Sequence, residues 1–295
     1  MDEKKFLAEQ FEGSRAHLKA VAYRMLGSRT EAEDAVQESW LRLSRADTSD
    51  VENLRGWLTT VVARVCLDML RTRKSRREEP LETPPSSPAP SPDGAHAEAM
   101  NPEQEALFAD AVGLALLVVL NRLTPSERIA FVLHDMFDLS FEEIAPIVER
   151  TPAAARQLAS RARRRVRGAP ALPVADLNRQ RKVVDAFLAA SRGGDFDALL
   201  AVLAPDVVFH ADAVAARMGA RAEIRGAAAV AETFKGRAQG ALPALVDGTI
   251  GLLVAPQGRL RVVLALTLQG GRITAIEALA DPDRLGRLDL AVLDA

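Results

Sequence analysis

Residues 139–166 read LSFEEIAPIVERTPAAARQLASRARRRV, a stretch that predicts two short helices with a sharp turn between them. Ser140 and Glu143 have the spacing of a capping box, so the first helix should begin directly after Ser140. Thr151 can cap a second helix whose first position is Pro152, where a missing N–H costs nothing. Apolar residues recur at helical spacing in both segments. The pattern predicts a helix-turn-helix.

The second of these helices is strongly basic. Residues 150–167 contain seven arginines and no acid, which suits the phosphates that flank a major groove. A basic helix is often only a solvated surface, but here caps, turn spacing and apolar periodicity agree and favour DNA binding. Pro146 lies inside the first helix and predicts a kink or an early end. The predicted DNA-binding residues of the second helix are Arg156, Gln157, Ser160, Arg161 and Arg164, of which Arg156 and Gln157 could reach base edges.

The whole chain is long enough for two or three domains, with 295 residues and a net charge of −2 that hides an uneven distribution. Residues 55–77 hold seven bases and one acid, whereas residues 78–110 hold eight acids and no base. The single cysteine, Cys66, excludes a disulfide within the chain and indicates the cytoplasm. The longest apolar run, residues 111–120, is shorter than a membrane span, and the charged N-terminus does not resemble a signal peptide.

The first 77 residues predict three helices. The first ends at Gly27, and the second begins at a capping box of Thr30 and Glu33 and carries an acidic face. The third begins near Asn53 and interleaves basic with aromatic side chains. That combination fits a surface that grips phosphates and stacks an unpaired base.

Residues 78–104 predict an acidic, proline-rich linker, with seven prolines between Pro80 and Pro102. A linker of this length could span up to about 90 to 95 Å when fully extended. Residues 105–170 predict four short helices, of which the third and fourth form the helix-turn-helix.

From residue 178 the pattern becomes mixed, with helices followed by apolar runs that read as strands at residues 245–254, 260–268 and 273–280. This order predicts a C-terminal α+β domain over residues 178–295. From residue 171 onward acids and bases balance at fourteen each, so this domain has no nucleic-acid signature.

The order of an acidic helix, a basic aromatic helix, an acidic linker and a helix-turn-helix resembles the extracytoplasmic-function sigma factors of bacterial RNA polymerase, over roughly residues 6–167. The segments that carry the resemblance are Glu31-Ala-Glu-Asp-Ala-Val-Gln-Glu38, Asn53-Leu-Arg-Gly-Trp-Leu58, Asp68-Met-Leu-Arg71, Leu123-Thr-Pro-Ser-Glu-Arg128 and Ala155-Arg-Gln-Leu-Ala-Ser-Arg-Ala-Arg163. The resemblance implies two all-α domains, residues 1–77 and 105–170, which bind core RNA polymerase and promoter DNA.

Individual roles follow from the same resemblance. Asp34, Gln37 and Glu38 would bind the polymerase. At the minus-10 element the DNA-binding residues would be Asn53, Arg55, Trp57, Arg64 and Arg71. The basic face of the second helix of the helix-turn-helix would bind the minus-35 element.

Residues 178–290 resemble the SnoaL-like cone fold, related to nuclear transport factor two and ketosteroid isomerases, which one sigma-factor subgroup carries as a regulatory extension. Asp281-Pro-Asp-Arg-Leu285 resembles that subgroup's Asn-Pro-Asp-Lys-Leu motif, so the resemblance implies a regulatory contact through Asp281, Pro282, Asp283, Arg284 and Leu285. The same residues also read as a helix start capped by Asp281. The subgroup's Asp-Gly-Gly-Gly-Arg motif is replaced by Asp212-Ala-Val-Ala-Ala-Arg217, and only Glu79-Pro-Leu-Glu82 remains of its Trp-Leu-Pro-Glu-Pro linker motif.

A cone of this kind has a pocket, which Asp206, His210 and Asp212 could line and where an unidentified small ligand could bind. These side chains could equally be structural. No acid and base stand at a usable spacing, and scattered histidines with one cysteine do not build a metal site. We therefore expect no catalysis, no metal and no cofactor.

Two other classes of protein share some of these features. A one-component, ligand-sensing regulator would also join a helix-turn-helix to a pocket, but it would not need the basic aromatic helix or the polymerase-binding face. An isomerase or cyclase with an appended DNA-binding region is the enzyme alternative. Co-purification with RNA polymerase tests the first alternative, and turnover by residues 178–295 tests the second.

Overall fold

The computed structural model describes residues 3–46, 51, 53–78 and 111–293. Nearly all of the predicted linker, residues 78–104, lies outside the described residues. The helices are α1 Glu3–Leu26, α2 Arg29–Leu43, α3 Leu54–Glu78, α4 Ala111–Leu120, α5 Pro125–Phe131, α6 Phe141–Val148, α7 Pro152–Arg167, α8 Val174–Gly193, α9 Phe196–Val202, α10 Ala213–Arg217, α11 Ala227–Phe234 and α12 Pro282–Arg287. The strands are β1 Leu203–Ala211, β2 Glu223–Arg225, β3 Ala241–Val246, β4 Thr249–Val254, β5 Val262–Gln269, β6 Arg272–Leu279 and β7 Leu290–Ala291.

The chain packs as two compact units. The helical unit comprises Met1–Asp110 and Thr124–Ser160, and the sheet unit comprises Ala111–Leu123 and Arg161–Ala295. This division differs from the predicted domains, because α4 packs in the sheet unit. The domain boundaries drawn from the sequence stay a prediction.

In the helical unit, α1, α2 and α3 pack around a core of fully buried apolar side chains that includes Leu18, Leu43 and Leu58. The predicted cap of α2 at Thr30 is wrong. The chain turns at Gly27, which has a φ of 73°, and Ser28 is the extended residue whose hydroxyl accepts the Glu31 N–H at 3.4 Å. Because the helix starts at once, Thr30 already lies inside it.

The helix-turn-helix begins where the sequence predicts. The Ser140 hydroxyl accepts the Glu143 N–H at 3.3 Å, and the Glu143 carboxylate accepts the Ser140 N–H at 2.9 Å. α6 ends early, two residues after Pro146, and Glu149 makes the turn in the left-handed region with a φ of 57°. The helix before it, α5, changes to a π-helical turn at Val132–Met136.

The sheet unit has the predicted α+β cone architecture. Its seven strands lie in the order β2-β1-β6-β5-β4-β3-β7, and every pair is antiparallel except β1 with β6. α8, α9 and α11 cover one face of the sheet. α4 covers part of the other face.

The two covered faces explain an error in the predicted strands. Leu252 and Leu264 face α8, α9 and α11, whereas Leu253 and Val263 face α4, so successive residues are all apolar. The single strand predicted at 245–254 is therefore wrong. It is a hairpin, β3 and β4, with positive φ at both Asp247 (48°) and Gly248 (79°), as a type I′ turn requires.

Asp212 ties together residues 212–217, which stand in place of the subgroup's Asp-Gly-Gly-Gly-Arg motif, and the start of residues 281–285. Its Oδ1 accepts the N–H groups of Val214 (3.0 Å) and Ala215 (2.8 Å), and its Oδ2 accepts those of Ala280 (2.8 Å) and Asp281 (2.9 Å). Burial raises the pKa of this carboxyl, but the backbone hydrogen bonds together outweigh that effect and lower the pKa below its ordinary value. Asp212 is structural.

We expect Asp212→Ala to destabilise the sheet unit by about 2 to 4 kcal/mol, because hydrogen bonds to a charged group contribute roughly 1.5 to 3 kcal/mol each and do not add fully. Since the folded pKa is lowered, the contribution is complete above the unfolded pKa of about 3.9 and is lost as the pH falls through the folded value. Urea unfolding followed by circular dichroism at pH 7 and pH 3 measures this. Both tryptophans, Trp40 and Trp57, lie in the helical unit, so their fluorescence is an internal control. A destabilisation that does not shrink at pH 3 would contradict the role.

None of the described helices is long and apolar enough to cross a membrane.

Candidate nucleic-acid and protein interfaces

The predicted DNA-binding residues of α7 share one exposed face. Arg156, Gln157, Ser160, Arg161 and Arg164 are all exposed, at positions i, i+1, i+4, i+5 and i+8 of the helix. The opposite side carries Ala155, Ala159 and Ala162, each with no exposed surface. The small alanines let α7 pack closely while its polar face points outward. This is the geometry of a recognition helix.

Arg156 is held in place by a contact that the sequence did not reveal. Its Cζ lies 5.1 Å from the ring centroid of Phe141, the first residue of α6. The same ring stacks on His134 at 4.0 Å, and His134 Nδ1 lies 2.9 Å from the carbonyl oxygen of Leu139. The aromatic stack therefore connects the two helices of the motif and restricts the orientation of Arg156.

On α3, Trp57, Arg64 and Arg71 repeat every seven residues, so they form one row along the helix. The two arginines are exposed and Trp57 is half-buried. Asn53 lies at the start of this helix, where its Oδ1 accepts the Gly56 N–H at 3.0 Å, and Arg55 is exposed in the first turn. The structure thus brings three of the five predicted minus-10 residues into a row and places the other two at its N-terminal end.

The predicted polymerase-binding residues lie on the outer face of α2. Asp34 and Gln37 are exposed, and half-exposed Glu38 accepts a hydrogen bond from Arg42 Nε at 3.0 Å. Leu41 continues this face by one turn and is 41% exposed. Sequence reasoning missed Leu41, although an apolar residue four positions after Gln37, on the polar side of an amphipathic helix, is a usable signal for a protein contact.

Arg128 lies in a segment that the sequence singled out without assigning it a role. Its side chain is 2% exposed, and its Nη2 and Nε donate to the carbonyl oxygen of Arg24 at 3.1 and 3.3 Å. Burial lowers the pKa of Arg128 to about 9. Arg73 donates to the carbonyl oxygen of Leu26 at 3.4 Å and pairs with Glu31. Both arginines thus satisfy carbonyls at the C-terminal end of α1.

The predicted pocket residues of the sheet unit do not come together. Asp212 is occupied by backbone N–H groups, Asp206 is exposed, and exposed His210 lies 3.5 Å from Glu223. Cavities of about 300 and 440 Å³ in this unit are lined by other residues. Among the residues that the structure describes, no three metal-binding side chains form a cluster. Binding of a small ligand stays a prediction.

The predicted regulatory segment forms α12. Asp281 caps it by accepting the Arg284 N–H at 2.9 Å, so the structural interpretation of this segment is confirmed. At the other end, Arg122 donates to the carbonyl oxygens of Leu285 and, at 2.8 Å, Leu288. Arg122 is the second residue after the end of α4. The segment is therefore joined to the residues that precede the helix-turn-helix.

A three-helix body with a basic aromatic helix, followed by a helix-turn-helix, is the arrangement of a transcription initiation factor of the sigma-70 class. The family described as Sigma-70 region 2 matches residues 11–76, and the one described as Sigma-70, region 4 matches residues 113–166.

Relatives match nearly the whole chain. The ECF RNA polymerase sigma factor SigJ of Mycobacterium tuberculosis strain H37Rv is 38% identical over 93% of this chain and 92% of that protein. The probable ECF RNA polymerase sigma factor SigI of the same strain is 37% identical over 93% of both chains. The crystal structure of Mycobacterium tuberculosis SigJ is 35% identical and covers 94% of this chain and 98% of that chain, with a TM-score of 0.45. The chain belongs to the extracytoplasmic-function sigma factors of bacterial RNA polymerase. It is thus the subunit with which core polymerase recognises promoters and begins transcription.

Proposed function

We propose that three surfaces of this sigma factor have separate roles in transcription initiation. The face of α2 binds the polymerase, the row on α3 binds the opened minus-10 element, and the outer face of α7 binds the minus-35 element. The observation that carries this assignment is the row of Trp57, Arg64 and Arg71. It offers one aromatic ring and two guanidinium groups along a single helix, which suits unpaired bases and their phosphates.

Trp57→Ala tests the assignment in the assembled holoenzyme. We expect binding to a fork-junction DNA with an unpaired minus-10 strand to fall about 5- to 150-fold, because stacking on an aromatic ring is worth roughly 1 to 3 kcal/mol per base. Binding to upstream duplex alone should not change. Equal losses on both DNAs would show that Trp57 only supports the fold.

We also propose that the sheet unit regulates the sigma factor through the first helix of region 4. All but the first two residues of α4 fall within the residues matched by the region 4 family, yet its Ala115, Val118 and Val119 pack into the sheet unit. Asn121 adds a hydrogen bond to the carbonyl oxygen of Gly258 at 3.0 Å, and Arg122 caps α12. Within the segment 281–285, Leu285 makes these contacts, which supports a role for the segment in holding α4.

Arg122→Met tests this contact, since it keeps an unbranched side chain and removes both donors. Hydrogen bonds to a charged group are worth about 1.5 to 3 kcal/mol, so amide exchange in α4 should accelerate at least tenfold. Hydrogen exchange read by mass spectrometry, with β6 as the internal reference, provides the measurement. Arg287→Met, which removes an exposed arginine from α12 itself, is the matched control. If the two variants exchange alike, Arg122 does not hold α4.

The same proposal places the protein in the cytoplasm, where core polymerase and chromosomal DNA are found, and gives the sheet unit no catalytic role. Neither Asp206 nor His210 lines either of the cavities named above. Turnover of a substrate by the purified full-length chain would overturn that part of the proposal.

A further inference from the structure

Arg71 makes a specific contact within the helical unit. Its Nη1 and Nη2 lie 3.2 and 3.3 Å from the two carboxylate oxygens of Glu149. Arg71 ends the row on α3, and Glu149 occupies the turn of the helix-turn-helix, 78 residues later. The guanidinium therefore presents both of its terminal nitrogens to a carboxylate in the two-point geometry that it would also use for a phosphate.

Other contacts also join the first three helices to the helices α5 and α6. α3 packs against α5 and α6, and the buried guanidinium of Arg128 on α5 donates to the end of α1. The rings of His17 and Phe137 meet edge-on at 5.4 Å. We call this arrangement, with α3 packed against α5 and α6, the closed form of the helical unit. In its described part the closed form is held mainly by packing and by the buried guanidinium of Arg128. The ion pair is exposed at its edge, and surface ion pairs add little to stability.

The closed form cannot bind the minus-10 and minus-35 elements at the same time. This conclusion rests on the proposed function, which assigns α3 to the first element and α7 to the second. Twenty-five base pairs separate the minus-35 and minus-10 positions, or about 85 Å along B-DNA at roughly 3.4 Å per base pair. Arg71 therefore cannot remain 3.2 Å from Glu149 while α3 lies on the minus-10 element and the helix-turn-helix lies on the minus-35 element. The predicted linker, with a reach of about 90 to 95 Å, is long enough for the two segments to separate.

We propose that Glu149 is an autoinhibitory phosphate mimic, whose carboxylate occupies Arg71 in the free protein and is displaced by the minus-10 strand when the helical unit opens. The packing of α3 on α5 and α6 keeps the unit closed. Glu149 lowers the affinity of the closed unit for single-stranded DNA by competing with its phosphates for Arg71. The left-handed turn fixes the position of Glu149, because its N–H is hydrogen-bonded to the carbonyl oxygen of Ala145.

The test is a double-mutant cycle on the free full-length protein, with a single-stranded minus-10 oligonucleotide as the probe. Glu149→Gln should raise affinity about threefold or more. Glu142→Gln removes the same charge from an exposed position of α6 and should change affinity by less than half as much. In an Arg71→Gln background, Glu149→Gln should have no effect. Equal effects of Glu149→Gln and Glu142→Gln, or an undiminished effect without Arg71, would overturn the proposal.

A distance measurement tests the closed state separately. Spin labels at Ser75→Cys and Ala153→Cys should give a short, narrow distance in the free protein and a longer one in the holoenzyme on promoter DNA. The native Cys66 does not interfere, because burial raises the pKa of its thiol to about 12 and keeps it protonated. The same long distance in both states would overturn the closed form.

If the proposed function is wrong but the closed form exists, the experiments give a different set of results. If holoenzyme carrying Arg71→Gln binds the fork junction as tightly as the wild type, Arg71 is not a minus-10 contact. The closed distance and the pairing with Glu149 would still be observed in that case.

Discussion

Glu38→Lys is expected to abolish stable association with core RNA polymerase and to leave the helical unit folded. The side chain is 45% exposed, so the substitution reverses a charge without removing core volume. The new lysine would face Arg42, which costs the helix only a few tenths of a kcal/mol. A like charge placed against a complementary interface costs several kcal/mol, which lowers affinity by well over 30-fold.

Gel filtration with core polymerase measures this association, and circular dichroism reports the fold. Glu9→Lys reverses a charge at an exposed position of α1 and is the matched control. Leu41→Ala should weaken binding as well, because Leu41 is the apolar part of the same face. A folded Glu38→Lys variant that binds polymerase as the wild type does would remove this face from the interface.

The second large effect is expected for Arg156→Ala. A good bidentate contact to a base is worth roughly 1 to 3 kcal/mol, so promoter binding by the holoenzyme should fall about 5- to 150-fold. The loss of affinity should be seen on DNA that carries the intact minus-35 element and should be much smaller on DNA in which that element is scrambled. Because the guanidinium lies over the Phe141 ring, Arg156→Lys should restore only part of the binding.

Arg167→Ala is the comparison, since it removes the same charge from an exposed residue in the last turn of the same helix. It should weaken promoter and scrambled DNA alike. If Arg156→Ala also lowers both affinities equally, Arg156 contacts a phosphate and does not read a base.

The helix-turn-helix could be predicted because its signals are local. The capping box of Ser140 and Glu143 and the cap at Thr151 each lie within three residues of the N–H that they satisfy. The exposed face of α7 follows equally directly, since a helix with alanines on one side and polar residues on the other has only one way to pack.

The remaining features depend on contacts distant in sequence. The pairing of Arg71 with Glu149 has no local signal, and neither does the capping of α12 by Arg122, 163 residues earlier in the chain. The packing of α4 had a weak local signal, because its sequence AVGLALLVVL is apolar on all sides and such helices are buried on more than one side. The hairpin of β3 and β4 could have been found, since Asp247 and Gly248 form a typical two-residue turn.

In vitro transcription tests the central claim most directly. Core RNA polymerase from the source organism is supplied with its genomic DNA, with and without the purified protein, and the 5′ ends of the transcripts are mapped. We predict a set of start sites that appears only with the protein and shares sequence motifs near minus-35 and minus-10, and that Glu38→Lys eliminates. If the protein adds no start sites, or only represses those of another holoenzyme, then it does not act as an initiation factor.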